Sequence, residues 1–292
     1  MTTPPVLTPF LAADAATPPN GTQAVPKSEV MTVTPQIAQE WVTLNTRNRP
    51  VRYSRVARFA RDMKDGTWTL NGETVKISAD GTILDGQHRL YACIQAGVSF
   101  ETFVIRGLPL QAQDTIDTGA ARTMGDQFGL RGEAHGNLLA AITRQAYKWL
   151  HGVRCQGQAG SEPTHAELSA LLAAEPRLRE AAAWADKARK NFKSVSGSVW
   201  GMAWLLFHGS DHLAAEVFLD KVLTGADLAE GHPALAFRNR IWKAREGGER
   251  LTVHEQLAYL ILAWNAFKED RKISRLQGPK GKLTPANFPE PK

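Results

Sequence analysis

Hydrophobic and polar positions along this chain follow two rhythms in succession. EVMTVT alternates like a strand, and TPQIAQEWVTLN predicts a helix with Thr34 as N-cap and Pro35 at its first position. In RYSRVARFARDMKDGTW, residues Val56, Phe59, Ala60 and Met63 recur at helical spacing, and Gly66 ends the segment. Arg55, Arg58 and Arg61 fall largely outside that apolar stripe. TVKIS, a turn at Ala79-Asp80-Gly81, and TILD together predict a β-hairpin. A helix from Gly86 to Ala96 follows, with Leu90, Cys93 and Ile94 facing inward and Gly97 closing it. FETFVIRGL is a further strand.

From Leu110 onward the strand signal disappears. QAQDTIDTGAARTMGDQFG reads as helical with a break at Gly119. Long helical patterns follow at GNLLAAITRQAYKWLHG, THAELSALLAAEPRLREAAAWADKARKNF, SVWGMAWLLFHG, DHLAAEVFLDKVLTG and TVHEQLAYLILAWNAFKED. Trp149, Trp184, Trp200, Trp204, Trp242 and Trp264 fall in this region among apolar neighbours, as core anchors do. The expected class is therefore α+β: a small N-terminal α/β domain followed by an all-helical domain.

Composition adds limits. A chain of 292 residues with 43% hydrophobic content can bury a sizeable core, or two. No apolar run reaches the roughly 18 residues a membrane span needs, so no membrane association is expected. Residues 1–28, rich in Pro, Thr and Ala and lacking a basic n-region, are expected to be a disordered leader and not a signal peptide. Cys93 and Cys155 form no CxxC pair, which argues against a disulfide framework and a zinc site and points to a reducing cytoplasm. VHEQL has Ala258 where a zinc-protease helix needs its second histidine, so no metal site is expected there.

The formal net charge of +6 leaves room for an acidic partner. From Arg47 to Lys64 there are seven basic residues against one acid, Asp62, and a second excess lies in the tail from Lys268 to Lys292. DNA suits such patches, with Arg55, Arg58 and Arg61 as its contacts; solvated helix faces and a solubilising tail fit the same charges.

The stretch GTILDGQHRLYACIQAG carries the candidate chemistry. A strand that ends in Asp-Gly and turns directly into a helix exposes backbone N–H groups at the positive end of the helix dipole. Gly86 permits close approach of a ligand, and Asp85 can cap the helix or hold a metal-bound water. Arg89 offers a fork for phosphate oxygens, His88 a second donor, and Gln87 an uncharged one. The same five residues also spell a capped helix start with two solvated cations.

DGQHRLYA after a hairpin opened by NGE (Asn71 to Glu73) resembles the ParB/sulfiredoxin superfamily, and most closely its branch with a DGQHR signature, which includes DndB-like proteins and ParB-like proteins of phages and mobile elements. The resemblance covers about residues 29–122 and leaves a helical domain over 123–272 and a basic tail over 273–292. It implies a ParB/sulfiredoxin-like fold and a nucleoside triphosphate, ATP or CTP with Mg2+, as cofactor. Gly86, Gln87, His88 and Arg89 would then bind its phosphates, and Arg122, in DTGAART with Asp117 and Gly119, would add a further contact. An ion pair of Asp117 with Arg122 around Gly119 accounts for that segment equally well.

Glu73 is the carboxylate best placed as a general base, with Asp85 beside it; an exposed strand-end acid is the ordinary reading of Glu73. Gln87 stands where sulfiredoxin has its catalytic cysteine, which excludes sulfinate chemistry. The Gln-His-Arg corner and the lack of a helix-turn-helix argue against chromosome partitioning. The expected function is nucleotide binding on or near DNA, with hydrolysis or phosphotransfer. The alternatives are a non-enzymatic DNA-associated regulator and a small-molecule kinase of the free-serine-kinase type.

Overall fold

The computed structural model describes residues 25–45, 48, 50–116, 122–155, 162–278 and 283–292. Strand β1 (Lys27–Val33) leads into helix α1 (Pro35–Thr43), where the Thr34 hydroxyl accepts from the Ile37 amide as the capping pattern predicts. Helix α2 (Tyr53–Lys64) is followed by strands β2 (Thr74–Ser78) and β3 (Ile83–Asp85), helix α3 (Gln87–Ala96) and strand β4 (Phe100–Leu108). Gly97 closes α3 with φ of +70°. The expected leader is two residues too long: Lys27 and Ser28 pair with Arg106 and Ile105 in the β1–β4 ladder. Residues 1–24 lie outside the described residues.

The sheet order is β1-β4-β2-β3, with β4 antiparallel to β1 and parallel to β2, and β2 antiparallel to β3. The parallel β2–β4 pair requires a crossover, which α3 supplies. Val33, Val75, Ile83, Leu90, Cys93 and Val104 are fully buried and form one core with Val56, Ala60 and Met63 of α2. Cys93 is inert in this setting: burial pushes its thiol up to about 11, and the S–H donates to the Val98 carbonyl.

Beyond a 3-10 turn at Leu110–Thr115 the described residues are helical: α4 (Met124–Leu130), α5 (Gly136–Leu150), α6 (His165–Ala174), α7 (Arg177–Asn191), α8 (Gly197–Ser210), α9 (His212–Thr224), α10 (Pro233–Glu246) and α11 (Val253–Lys268). Two differences from the sequence pattern have clear causes. The single long pattern starting at Thr164 is two helices, because Pro176 cannot continue α6 and instead precedes the first residue of α7. Helix α10 was not expected, although His232 caps it and Pro233 occupies its first turn.

A second core, separate from the first, joins these helices around fully buried Trp200 and Trp264. Trp242 departs from the expected pattern, remaining partly exposed under the Arg238 guanidinium. The basic tail is not a free arm. Leu276 and Phe288 are buried in the helical core, Trp264 Nε1 donates to the Lys292 carbonyl, and Asn265 Nδ2 donates to the Glu290 carbonyl. Among the described residues no helix is long and apolar enough to cross a membrane.

Candidate functional site

The Asp-Gly-Gln-His-Arg corner lies where β3 runs into α3, and its geometry departs from the expected phosphate cradle. Gly86 sits at φ of +99°, and a Cβ added there would meet Val75 Cγ2 at 2.9 Å and the Val75 backbone at 3.2 Å. Glycine is required so that the corner can lie against β2. Asp85 does not cap the helix: Gly86 is the N-cap, with no side-chain cap bond. The Asp85 carboxylate instead accepts from the Gly86 amide at 2.6 Å, from Lys76 Nζ at 3.0 Å and from Arg89 at 3.2 Å. Burial opposes its ionisation, but Arg89 and Lys76 outweigh that and hold the carboxyl below its ordinary range.

The three polar residues that follow are all buried. Gln87 Oε1 accepts from Asn45 Nδ2 at 3.0 Å, within an amide chain in which Gln113 donates to Asn48 and Asn48 to the Ile83 carbonyl. His88 Nε2 accepts from the Arg52 backbone N–H at 3.1 Å, fixing the start of α2 on α3, so at this nitrogen it is not the expected donor. Arg89 forks between Asp85 and Glu73, 3.1 Å from Glu73 Oε2. It is therefore a buried structural cation and not the exposed phosphate fork that the sequence suggests. The corner ties α2, the hairpin and the Asn45 segment together.

Its surroundings form a groove of about 1040 Å³, which Gly86, His88 and Arg89 enter from one side and Arg52, Arg55 and Arg58 from another. Two nitrogens of lining side chains are buried and meet no acceptor among the described residues: Arg58 Nε and the indole Nε1 of Trp68. Trp68 is held edge-on between Phe59 and Phe100, with ring centroids 5.5 and 5.7 Å away. Glu73 sits at the groove's mouth with a largely exposed carboxylate.

The far wall comes from the helical region: Gln127, Glu162, His165 and Ala166. Sequence reasoning missed all four, since nothing in the linear pattern brings α6 to α2. The connection is made by Arg61, whose Nε lies 2.9 Å from Glu167 Oε1 and whose Nη2 donates to the Glu162 carbonyl at 2.6 Å. Of the three arginines assigned to DNA, Arg61 is thus engaged within the protein, while Arg55 and Arg58 line the groove. Arg122 lines a different cavity, beside Gly125 and Asn137, and is not in the groove. Asp117 and Gly119 lie outside the described residues.

Among the described residues no group of three or more His, Cys, Asp or Glu side chains is arranged to hold a metal. Asp85 is already committed to two cations, Lys76 and Arg89. Comparison with protein-family models, with curated proteins and with solved structures finds no match.

Proposed function

We propose that the chain is a ParB/sulfiredoxin-like, nucleoside triphosphate-binding protein acting on or near DNA, and that the groove between the corner and α2 is its nucleotide site. The observation that carries the reading is that two side chains with buried, orphaned donors, Arg58 at Nε and Trp68 at Nε1, both line one groove. Buried N–H groups nearly always find an acceptor, and each one left over calls for an explanation. An oxyanion in the groove supplies acceptors to both once these side chains turn toward it, and it adds negative charge beside Arg52 and Arg55. The volume of about 1040 Å³ accommodates a ligand of nucleotide size.

The phosphate-binding role moves, in this reading, from Arg89 to Arg58, with the Gln-His-Arg corner as scaffold. Hydrolysis or transfer would draw on Glu73, the exposed carboxylate at the mouth. Asp85, with its oxygens committed to Gly86, Lys76 and Arg89, is poorly placed to take a proton. The DNA half of the proposal rests on exposed Arg52 and half-buried Arg55 at the start of α2.

A thermal-shift screen of ATP, CTP and GTP with Mg2+ tests the nucleotide half, and a stabilising shift with at least one triphosphate is expected. Retention on a DNA column at low salt tests the other half. It should fall in the Arg52→Glu/Arg55→Glu variant, which leaves Arg61 in place. No shift with any triphosphate would refute the nucleotide reading, and unchanged retention would refute the DNA surface.

A further inference from the structure

We infer that the ligand of this groove is gripped from both sides, with His165 of α6, oriented by Gln127 of α4, supplying a donor opposite Arg58. The inference rests on the nucleotide reading above and adds to it that the helical region is part of the binding site.

The argument starts from the α6 N-terminus. Thr164 and Glu167 form a reciprocal capping box: the Thr164 hydroxyl accepts from the Glu167 amide and Glu167 Oε2 accepts from the Thr164 amide at 2.6 Å. The same Glu167 carboxylate receives Arg61 from α2. One side chain therefore both starts α6 and pins that start to α2. Arg61 lies three residues from Arg58, so the two project from neighbouring positions on one helix face. The pin sets His165, the first residue of α6, on the groove that Arg58 also lines.

The ring is also oriented. Gln127 Nε2 lies 2.8 Å from His165 Nδ1. An amide nitrogen only donates, so Nδ1 accepts and the proton of the neutral ring sits on Nε2. Burial first, and then the charges of Arg58 and Arg144, hold the His165 pKa below its ordinary value, Asp62 pulling the other way, so the ring is neutral at pH 7. A neutral imidazole with Nδ1 occupied has one donor left, Nε2–H. No partner for it is found among the described residues, and an oxygen of a ligand held by Arg58 fits it.

The test uses the whole chain and isothermal titration of ATP, CTP and GTP with Mg2+, taking forward whichever binds the parent most tightly. Arg58→Ala, His165→Ala, His165→Gln and the Arg58→Ala/His165→Ala double variant are compared, each checked for an unchanged unfolding temperature. A neutral hydrogen bond implies that His165→Ala binds about 2- to 13-fold more weakly. The glutamine amide reaches toward the ring Nε2 position, so His165→Gln should recover most of that loss. The double variant should lose less than the product of the single losses, because both side chains act on one ligand.

If His165→Ala binds like the parent while Arg58→Ala is weakened, the far wall is out of reach and this inference fails with the nucleotide reading intact. If the parent binds no triphosphate, the nucleotide reading fails and this inference with it. Should His165→Ala lose stability along with affinity, His165→Gln decides: parental stability with parental affinity supports the donor role, and parental stability with the weakened affinity overturns it.

Discussion

Replacing Arg89 with alanine separates a structural corner from a ligand cradle. The Arg89 side chain is 8% exposed and bridges Asp85, 14% exposed, to Glu73, 63% exposed. Removing one partner of a buried pair costs about 3–5 kcal/mol, chiefly because the other charge is left alone. Here Asp85 keeps Lys76 at 3.0 Å and the Gly86 amide at 2.6 Å, and Glu73 relaxes into water. The expected cost is therefore below that range, about 2–3 kcal/mol. With a typical urea dependence this lowers the unfolding midpoint by roughly 1 M.

Because the chain has two cores, the change must be read locally. Amide hydrogen exchange of peptides spanning residues 74–96 against urea reports the sheet and α3 without averaging over the helical region. The deficit should shrink at acid pH. The folded pKa of Asp85 is lowered, so its contribution is present above the unfolded value near 3.9 and disappears as pH falls through the folded one. Below that window Arg89 has lost its main partner and its removal matters less. If Arg89→Ala leaves exchange protection unchanged at pH 7 but abolishes nucleotide binding, Arg89 is a ligand fork and the scaffold account is wrong.

Other expectations follow from the same geometry. Leu90→Ala empties a fully buried position in the N-terminal core and should cost about 2–5 kcal/mol in urea unfolding. Tyr147 is pushed up to about 12 chiefly by burial, with the nearby Glu167 carboxylate adding to the shift, so in a 295 nm absorbance titration one tyrosine should ionise late. Glu167→Gln should bring that ionisation down only part of the way, since burial remains, and a titration identical to the parent's would show that Glu167 does not act on Tyr147. Arg61→Ala opens the pin between α2 and α6. Since that pair is partly exposed, stability should fall by only about 1 kcal/mol or less, while exchange at the start of α6 rises measurably.

The sheet region was legible because its signals are local. Thr34-Pro35, the Ala79-Asp80-Gly81 turn and Gly97 each act within a few residues of themselves, and they mark boundaries that the structure keeps. The residues Gln87, His88 and Arg89 could be singled out as unusual but not read correctly. A run of polar side chains at a helix start is equally consistent with solvent, with a ligand or with burial, and only the partners decide. Those partners, Asn45, Arg52 and Glu73, are 16 to 42 positions away in sequence. Arg61 failed for the same reason. Its partner Glu167 is 106 positions on, in a helix whose local pattern says only that it is capped. The groove's far wall at Gln127 and His165 likewise arises from tertiary packing, to which no periodicity points.

The most direct test of the central claim is isothermal titration of Mg2+ with ATP, CTP and GTP into the parent chain and Arg58→Ala. Arg58 Nε is buried with no acceptor among the described residues, so its loss should leave unfolding nearly unchanged. Losing a charge-assisted fork worth roughly 1.5–3 kcal/mol should weaken binding about 10- to 150-fold. Binding of a triphosphate to the parent with equal affinity for Arg58→Ala, or no binding to the parent at all, would contradict the account.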